Sequence, residues 1–174
     1  MSKLLKTRAF LLKKKTLLRS DELISLFTLE NGKIIAIAKG VKKITSKRAP
    51  HIQTGNLIEA TLMLRQERYY LQDTKLISGF YQLKQDQNKI RYLYTILFIL
   101  DRLLPELEPE QRVFKLLQKF LAELTRQEFS NPEFRNYLQQ LLTLLGYEHE
   151  QKPLEDLLSD VEAIIHQKIP RSII

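Results

Sequence analysis

Residues 21–43 have the sequence DELISLFTLENGKIIAIAKGVKK, in which two short apolar segments flank the pair Asn31-Gly32. The first segment, Glu22–Leu29, contains β-branched and aromatic residues, and the second, Lys33–Ala38, fits a half-buried strand. Both central residues of a type I′ turn need positive φ, which Asn tolerates and Gly favours. The stretch therefore predicts a β-hairpin with a type I′ turn at Asn31-Gly32.

Three further segments extend this hairpin into a small all-β unit. Thr7–Leu18 tolerates β structure, Leu57–Leu64 alternates apolar and polar residues, and Tyr69–Ile77 supplies a fifth segment. Closing five short strands into a barrel removes the exposed edges that an open sheet would leave. We therefore predict a five-stranded barrel domain of the OB-fold type over residues 1–79.

The remaining residues, 80–174, predict a helical domain. Ser130 with Glu133 three residues later is typical of a capping box, and Gly146 fits the left-handed position that ends a helix. Net charge changes at the same boundary, from +10 over residues 1–80 to −2 over residues 81–174. Apolar residues recur at the helical period in four stretches: Ile90–Leu104, Val113–Leu124, Ser130–Gly146 and Pro153–Ile165.

The composition argues against an enzyme, a metalloprotein and a membrane protein. The 174 residues include no cysteine, and the three histidines lie in different predicted elements. No glycine-rich phosphate-binding loop occurs, and Glu59 and Asp73 fit outward-facing polar positions in strands better than an acid–base pair. The longest apolar run, Tyr92–Leu100, is about half a membrane span. We expect a cytoplasmic protein without metal or cofactor.

Basic residues are the most concentrated feature of the first half and indicate nucleic-acid binding. In a five-stranded OB-fold barrel, oligonucleotides bind across strands 2 and 3 and between the loops that join strands 1–2 and 4–5. Lys and Arg neutralise phosphates, and an aromatic ring beside them can stack on any base. Phe27, Tyr69 and Tyr70 are near, although Phe27 and one tyrosine are expected in the barrel core. The predicted interface comprises Lys13, Lys14, Lys15, Arg19, Lys39, Lys42, Lys43, Lys47, Arg48, Arg65, Arg68 and, for stacking, Tyr69.

An ordered set of residues resembles the RecO family of recombination mediators. In the first half the matching residues are Ser20-Asp21-Glu22-Leu23, Leu26-Phe27-Thr28, Asn31-Gly32-Lys33, Ala36, Ala38-Lys39-Gly40-Val41-Lys42-Lys43, Ser46-Lys47-Arg48 and Leu57-Ile58-Glu59. In the second half they are Leu100-Asp101-Arg102-Leu103-Leu104-Pro105 and Leu141-Leu142-Thr143-Leu144-Leu145-Gly146-Tyr147. The resemblance implies an oligonucleotide-binding barrel followed by helices, associated with the nucleoid and acting without catalysis in recombinational DNA repair.

The resemblance also implies ligands and partners. RecO proteins bind single- and double-stranded DNA, anneal complementary strands, contact the single-strand-binding protein and, with RecR, help to load the RecA recombinase on coated strands. The family's DNA-contacting basic residues match Lys39, Lys42, Lys43, Lys47 and Arg48, whereas Lys13–Lys15 rest on the charge argument alone. On the helices, Arg91, Arg102, Arg112 and Arg126 either receive an acidic peptide with an apolar end or pair with nearby carboxylates.

Two departures from the family pattern limit what is carried over. Many members have four cysteines after the Gly-aromatic pair, but Gly146-Tyr147 is followed here by Glu148-His149-Glu150-Gln151, so no zinc ribbon is expected. The sequence also stops at Ile174, short of a usual member, which predicts a shortened helical domain. Two other functions stay open from the residues alone: an RNA-binding barrel and a protein-interaction adaptor.

Overall fold

The computed structural model describes residues 3–126 and 128–170, which form two compact units. The first unit contains the described residues up to Phe80 together with Leu104–Glu110, and the second contains Tyr81–Leu103 and the described residues from Gln111 onward. Phe80 and Leu104–Glu110, which follow the predicted boundary at residue 79, are grouped with the first unit. No described helix is both long and apolar enough to cross a lipid bilayer.

The first unit is a closed barrel with the strand order β1-β2-β3-β5-β4. Neighbouring strands are antiparallel except β3 and β5, which are parallel, and the β1–β4 pairing closes the ring. This confirms the predicted fold class, a five-stranded barrel consistent with an OB-fold and followed by helices. The strands are β1 (Lys3–Thr16), β2 (Glu22–Thr28), β3 (Gly32–Ala38), β4 (Leu57–Arg65) and β5 (Arg68–Ser78).

Strand β1 pairs with two neighbouring strands because it is long and irregular. Its first part pairs with β4 and its second part with β2, and the β2 register shifts between Leu11 and Lys13. Such a bulge bends a strand, so one strand can contribute to both sides of a closed barrel. The alternating inward side chains build the barrel core, which includes Ala9, Leu11, Ile24, Leu26, Ile34, Ala36, Ala38, Ile58, Ala60, Leu62 and Leu71.

The turns differ from the predicted type although the hairpin itself is present. Strands β2 and β3 are joined through Leu29–Asn31, and of the pair Asn31-Gly32 only Gly32 has positive φ, +69°. The prediction of a type I′ turn at Asn31-Gly32 is therefore wrong. Two consecutive positive φ values occur instead in two other connections: at Arg19 and Ser20, 59° and 66°, between β1 and β2, and at Gln66 and Glu67, 48° and 61°, between β4 and β5.

Gly32 is also required by a close approach of the backbone. A Cβ atom at this position would lie 2.1 Å from the carbonyl oxygen of Glu108. In the same segment, the Leu107 N–H donates to the Lys33 carbonyl at 2.9 Å, and Glu106 forms a parallel bridge with Lys33. Residues 104–110 therefore cover the part of the β3 edge that β5 leaves unpaired.

The second unit contains five helices in its described part, one more than predicted. The extra one, α1, is a single short turn; α2 begins next to it and ends before Pro105, as the sequence predicts. Asp86 accepts the N–H groups of Asn88 and Lys89 at 2.9 and 3.1 Å and so caps α2. The helices are α1 (Tyr81–Gln85), α2 (Gln87–Leu103), α3 (Gln111–Arg126), α4 (Asn131–Leu144) and α5 (Leu154–Ile165).

Both predicted ends of α4 are confirmed. Ser130 and Glu133 form a reciprocal capping box, and the hydrogen bond from the Ser130 hydroxyl is the main cause that lowers the pKa of Glu133. At the other end Gly146 has φ +78°; its N–H donates to Thr143 and the Tyr147 N–H donates to Leu142. This pair of bonds is the Schellman arrangement, which satisfies carbonyls that the helix leaves open.

The loop between α4 and α5 is held by side chains bonded to its backbone. The buried Gln139 amide donates to the Glu150 carbonyl at 2.9 Å and accepts the Lys152 N–H at 3.1 Å. Arg135 donates to the Lys152 carbonyl at 2.7 Å. The Lys152 ammonium bridges Glu148 and Asp160, and its hydrogen bond lowers the pKa of Glu148. Among the described residues, no group of three His, Asp or Glu side chains is placed to hold a metal ion.

The close approach at Gly32 predicts a position-specific cost in stability. Gly40 has a similar φ, +66°, but a Cβ atom at that position would contact only the flexible Lys43 side chain, at 3.6 Å. Gly40→Ala is therefore the matched comparison. It should lower the free energy of unfolding by about 1–2 kcal/mol, the cost of a left-handed L residue. Gly32→Ala should cost a further 1–3 kcal/mol, roughly, because residues 104–110 must move. Urea unfolding followed by circular dichroism measures both; equal losses would contradict the close approach.

Candidate nucleic-acid interface

Two loops of the barrel unit lie together: residues 17–21, which join β1 to β2, and residues 39–56, which join β3 to β4. The Lys42 N–H donates to the Ser20 carbonyl at 3.1 Å, and the Gly40 N–H donates to Asp21 Oδ1 at 2.7 Å. The Lys42 ammonium also lies 3.4 Å from the Thr16 hydroxyl. We call residues 13–21 and 39–56 the basic loop surface.

The basic loop surface is strongly cationic. It holds nine Lys and Arg side chains and a single carboxylate, Asp21, so its net charge of +8 equals that of the entire chain. The Asp21 carboxylate already accepts a hydrogen bond from the Gly40 N–H. A surface with this balance attracts polyanions over the length of a Debye screening distance.

The longer loop is ordered by contacts to the barrel. Its Val41 and Ile52 side chains belong to the barrel core. The buried Asn56 amide donates to the His51 carbonyl at 2.8 Å, and His51 Nδ1 lies 2.9 Å from the Thr74 hydroxyl on β5. The exposed lysines of this loop therefore project from a fixed frame, which reduces the entropy lost when they bind a ligand.

Arg48 holds this loop in place through hydrogen bonds to backbone carbonyl groups. Its guanidinium donates to the carbonyl oxygens of Leu71 at 2.6 Å and Lys39 at 2.7 Å, and a third carbonyl, that of Gln72, lies at 3.4 Å. These bonds fasten the loop to β5 and to the end of β3. Arg48 is thus distinguished from its neighbour Lys47, which is exposed.

The aromatic candidates are placed differently from one another. Tyr69 is half-buried and packs against the barrel core, whereas the Tyr70 ring lies under the Lys39 ammonium, 4.9 Å from the ring centroid. Phe27 is fully buried, but Ile24 and Leu26 face the core, so Phe27 points to the outer side of the barrel. Stacking of a base by Tyr69 stays a prediction, and Tyr70 is the ring that the structure places beside an exposed lysine.

In the first predicted group of basic residues, Lys14 already has partners within the barrel unit. Lys14 Nζ lies 3.1 Å from Gln53 Oε1 and 3.8 Å from the buried Glu22 carboxylate, so its charge is partly neutralised. Lys13, Lys15 and Arg19 are exposed. Lys14 therefore connects β1 to the longer loop, and the exposed members carry the charge of this group to the surface.

The third predicted group, Arg65 and Arg68, flanks the turn between β4 and β5. The two residues are register partners and both are exposed, so their like charges oppose each other unless an anion lies between them. Tyr69 and Tyr70 pair with Ala36 and Ile37 of β3, which brings this turn beside the strand that leads to Lys39. All three predicted groups thus border one side of the barrel.

A groove that was not predicted lies on the outer face of β2 and β3. Leu23, Ile35 and Ile37 line it on the strands, and it encloses about 780 Å³ including its open mouth. Glu106 and Leu107 form the opposite wall. The continuous apolar run Ile34–Ala38 was the available signal, because a strand covered on both faces is apolar throughout rather than alternating.

Comparison with known proteins gives two family-model matches and a set of curated relatives. Residues 1–80 match the model described as "Recombination protein O N terminal", and residues 84–151 match "Recombination protein O C terminal". A DNA repair protein RecO from Geobacter metallireducens is 28% identical over 142 residues, 82% of this chain and 58% of that protein. One from Clostridium novyi is 34% identical over 116 residues, 67% of this chain and 44% of that protein. The chain spans about half the length of the curated relatives that it matches.

The carbonyl contacts of Arg48 predict different roles for two adjacent cations. Arg48→Ala should lower the free energy of unfolding by about 1.5–3 kcal/mol, since hydrogen bonds from a charged donor are lost. Lys47→Ala, the matched control, should change it by less than about 0.5 kcal/mol. Urea unfolding measures both variants. Equal stability of the two would show that the Arg48 bonds do not hold the loop.

Proposed function

Because the chain belongs to the RecO family of DNA repair proteins, we propose that it is a non-catalytic, DNA-binding mediator of recombinational repair. The observation that carries this proposal is the basic loop surface, which holds nine cations and one carboxylate. Most of these side chains are exposed, and hydrogen bonds to backbone atoms fix the loops that hold them. The ligand is single- or double-stranded DNA, bound mainly through its phosphates.

Phosphate binding also supports strand annealing. A DNA duplex carries one negative charge per about 1.7 Å of its axis, so two approaching strands repel each other. Lys42, Lys43 and Lys47 project from the same ordered loop and would reduce this repulsion for strands of any sequence. The barrel then promotes pairing without reading bases, and base pairing itself selects the partner strand.

We assign the contacts with protein partners to the helical unit. These partners are a RecR-like protein and the single-strand-binding protein, and through them the chain would help to load a RecA-type recombinase. An open pocket in this unit is lined by Arg91 and by the aromatic residues Tyr92, Phe129 and Phe134. A cation beside aromatic rings suits a peptide that ends in acidic and apolar residues, as the tail of the single-strand-binding protein does.

The other arginines of the helices are less suited to this role. Arg102 is paired with Asp101 at 2.6 Å and lies 5.0 Å from the Phe98 ring centroid, so its charge is already engaged. Arg112 and Arg126 are exposed on α3, and neither lines the pocket formed by Arg91 and the aromatic residues. Arg91 is therefore the residue that we assign to the acidic peptide.

The phosphate contacts predict a sequence-independent loss on charge reversal. Lys42→Glu, Lys43→Glu and Lys47→Glu together should weaken binding to single-stranded DNA about 100-fold at 0.1 M salt and reduce the salt slope by about 2. Fluorescence anisotropy with several oligonucleotide sequences across a salt series measures both quantities. The loss should be the same for every sequence.

The matched control reverses three basic residues on the exposed side of α3, Arg112, Lys115 and Lys119, and so makes the same change in net charge. Its affinity should fall far less than that of the loop variant. Equal losses in the two variants would mean that total charge, not the basic loop surface, binds DNA. A marked preference for RNA of equal length would contradict the choice of DNA.

Annealing assays separate the two units of the chain. The protein should accelerate pairing of complementary oligonucleotides, bare or coated with single-strand-binding protein, and the loop reversal should abolish both accelerations. Arg91→Glu should abolish only the acceleration on coated strands, because it reverses the charge that the acidic peptide meets. Arg112→Glu is the control. Acceleration on coated strands that survives Arg91→Glu would contradict the assignment of the pocket.

A further inference from the structure

Two aliphatic side chains stand fully in solvent within the basic loop surface. Leu18 is 87% exposed and Ile44 is completely exposed, the two most exposed large apolar residues in the described chain. Single exposed apolar residues are common on protein surfaces and need no explanation. Here two of them occur on adjacent loops that otherwise present cations, so they form a shared feature.

A backbone hydrogen bond brings together the two loops that carry these residues. The Ser20 carbonyl accepts the Lys42 N–H at 3.1 Å; Leu18 precedes Ser20 by two residues, and Ile44 follows Lys42 by two. Leu18 and Ile44 therefore lie on contacting loops, each two residues from the hydrogen bond that joins them.

The loops hold these tips in defined conformations. Arg19 and Ser20 both have positive φ, 59° and 66°, which non-glycine residues adopt only when the surroundings impose it. On the other loop, the Lys43 N–H donates to the Gly40 carbonyl and the Ser46 N–H donates to the Lys43 carbonyl, forming successive tight turns. The apolar side chains are thus presented by shaped turns rather than by extended segments.

The surrounding charge limits what the apolar pair can contact. Arg19, Lys42 and Lys43 immediately adjoin it, and the single carboxylate of the basic loop surface is engaged by Gly40. A matching ligand must present anions around an apolar interior. Nucleic acid has this arrangement, because its phosphates lie outside and its base faces are stacked inside.

We propose that Leu18 and Ile44 form a wedge that enters the base stack of bound DNA while the adjacent cations hold the phosphates. This inference rests on the proposed DNA-binding function and adds a preferred substrate to it. Inserting a side chain requires unstacking, which is easiest where pairing already ends. The preferred site is therefore the junction between duplex and single-stranded DNA, where annealing would also proceed.

The test compares three oligonucleotide substrates with equal numbers of phosphates: a single strand, a full duplex and a partial duplex with a 2-aminopurine base at its junction. The variant is Leu18→Ser with Ile44→Ser, which removes no buried contact. The control is Leu4→Thr, which changes another exposed apolar residue, 66% exposed, on β1 outside the basic loop surface. Anisotropy reports affinity, and 2-aminopurine fluorescence reports unstacking.

The unchanged chain and the control should bind the junction about 10-fold more tightly than the duplex and raise the fluorescence at least about 2-fold. The double variant should bind the single strand within about 2-fold of the unchanged chain, because its phosphate contacts remain. It should lose both the junction preference and the rise in fluorescence.

Other outcomes overturn the wedge and can be told apart. DNA binding that depends on Lys42, Lys43 and Lys47 but causes no unstacking, or unstacking that survives in the double variant, removes the wedge and leaves the proposed function. Failure to bind any of the three substrates overturns both. If vesicles containing phosphatidylserine bind the unchanged chain but not the double variant, while junction binding is equal, the apolar pair contacts a lipid surface instead.

Discussion

Repulsion between cations is the constraint that the basic half of the molecule must overcome. Nine Lys and Arg side chains lie on the basic loop surface, and ion pairs within it could offset the repulsion only by neutralising the surface. The fold uses bonds that consume little of the charge: backbone N–H groups to Ser20 and Asp21, and apolar anchors such as Val41 in the barrel core. The repulsion that remains is relieved when an anion binds, so the surface is suited to phosphates because of the way it is held together.

The regular elements could be predicted from the sequence because their signals are local. Alternation marks Leu57–Leu64 as a strand, and the capping box at Ser130 and the glycine at 146 mark the ends of α4. The turn at Gln66-Glu67 could not be recognised, since neither residue is one that usually takes positive φ. The cover over β3 could not be predicted either, because it comes from residues more than 70 positions later in the chain.

The roles of the individual basic residues in the candidate interface could not be predicted from the sequence either. Sequence alone gives Lys42, Lys47 and Arg48 equal standing, because each is a cation in one polar segment. The structure separates them: Arg48 is bonded to carbonyl groups of two strand regions, whereas the two lysines reach solvent. Planar guanidinium groups are suited to such multiple bonds, and ammonium groups are suited to mobile phosphate contacts. Side-chain type was therefore an available but indirect signal.

The path of the chain limits how far its two units are modular. The barrel unit is not one continuous segment, because Leu104–Glu110 returns to β3 after α2 and covers the strand edge beside Gly32. A fragment ending at residue 79 would contain every strand and yet leave that edge open to pairing with another copy. In evolution, a barrel of this kind would not be exchanged between genes as a simple cassette, since the segment that covers its strand edge lies between α2 and α3 in the chain.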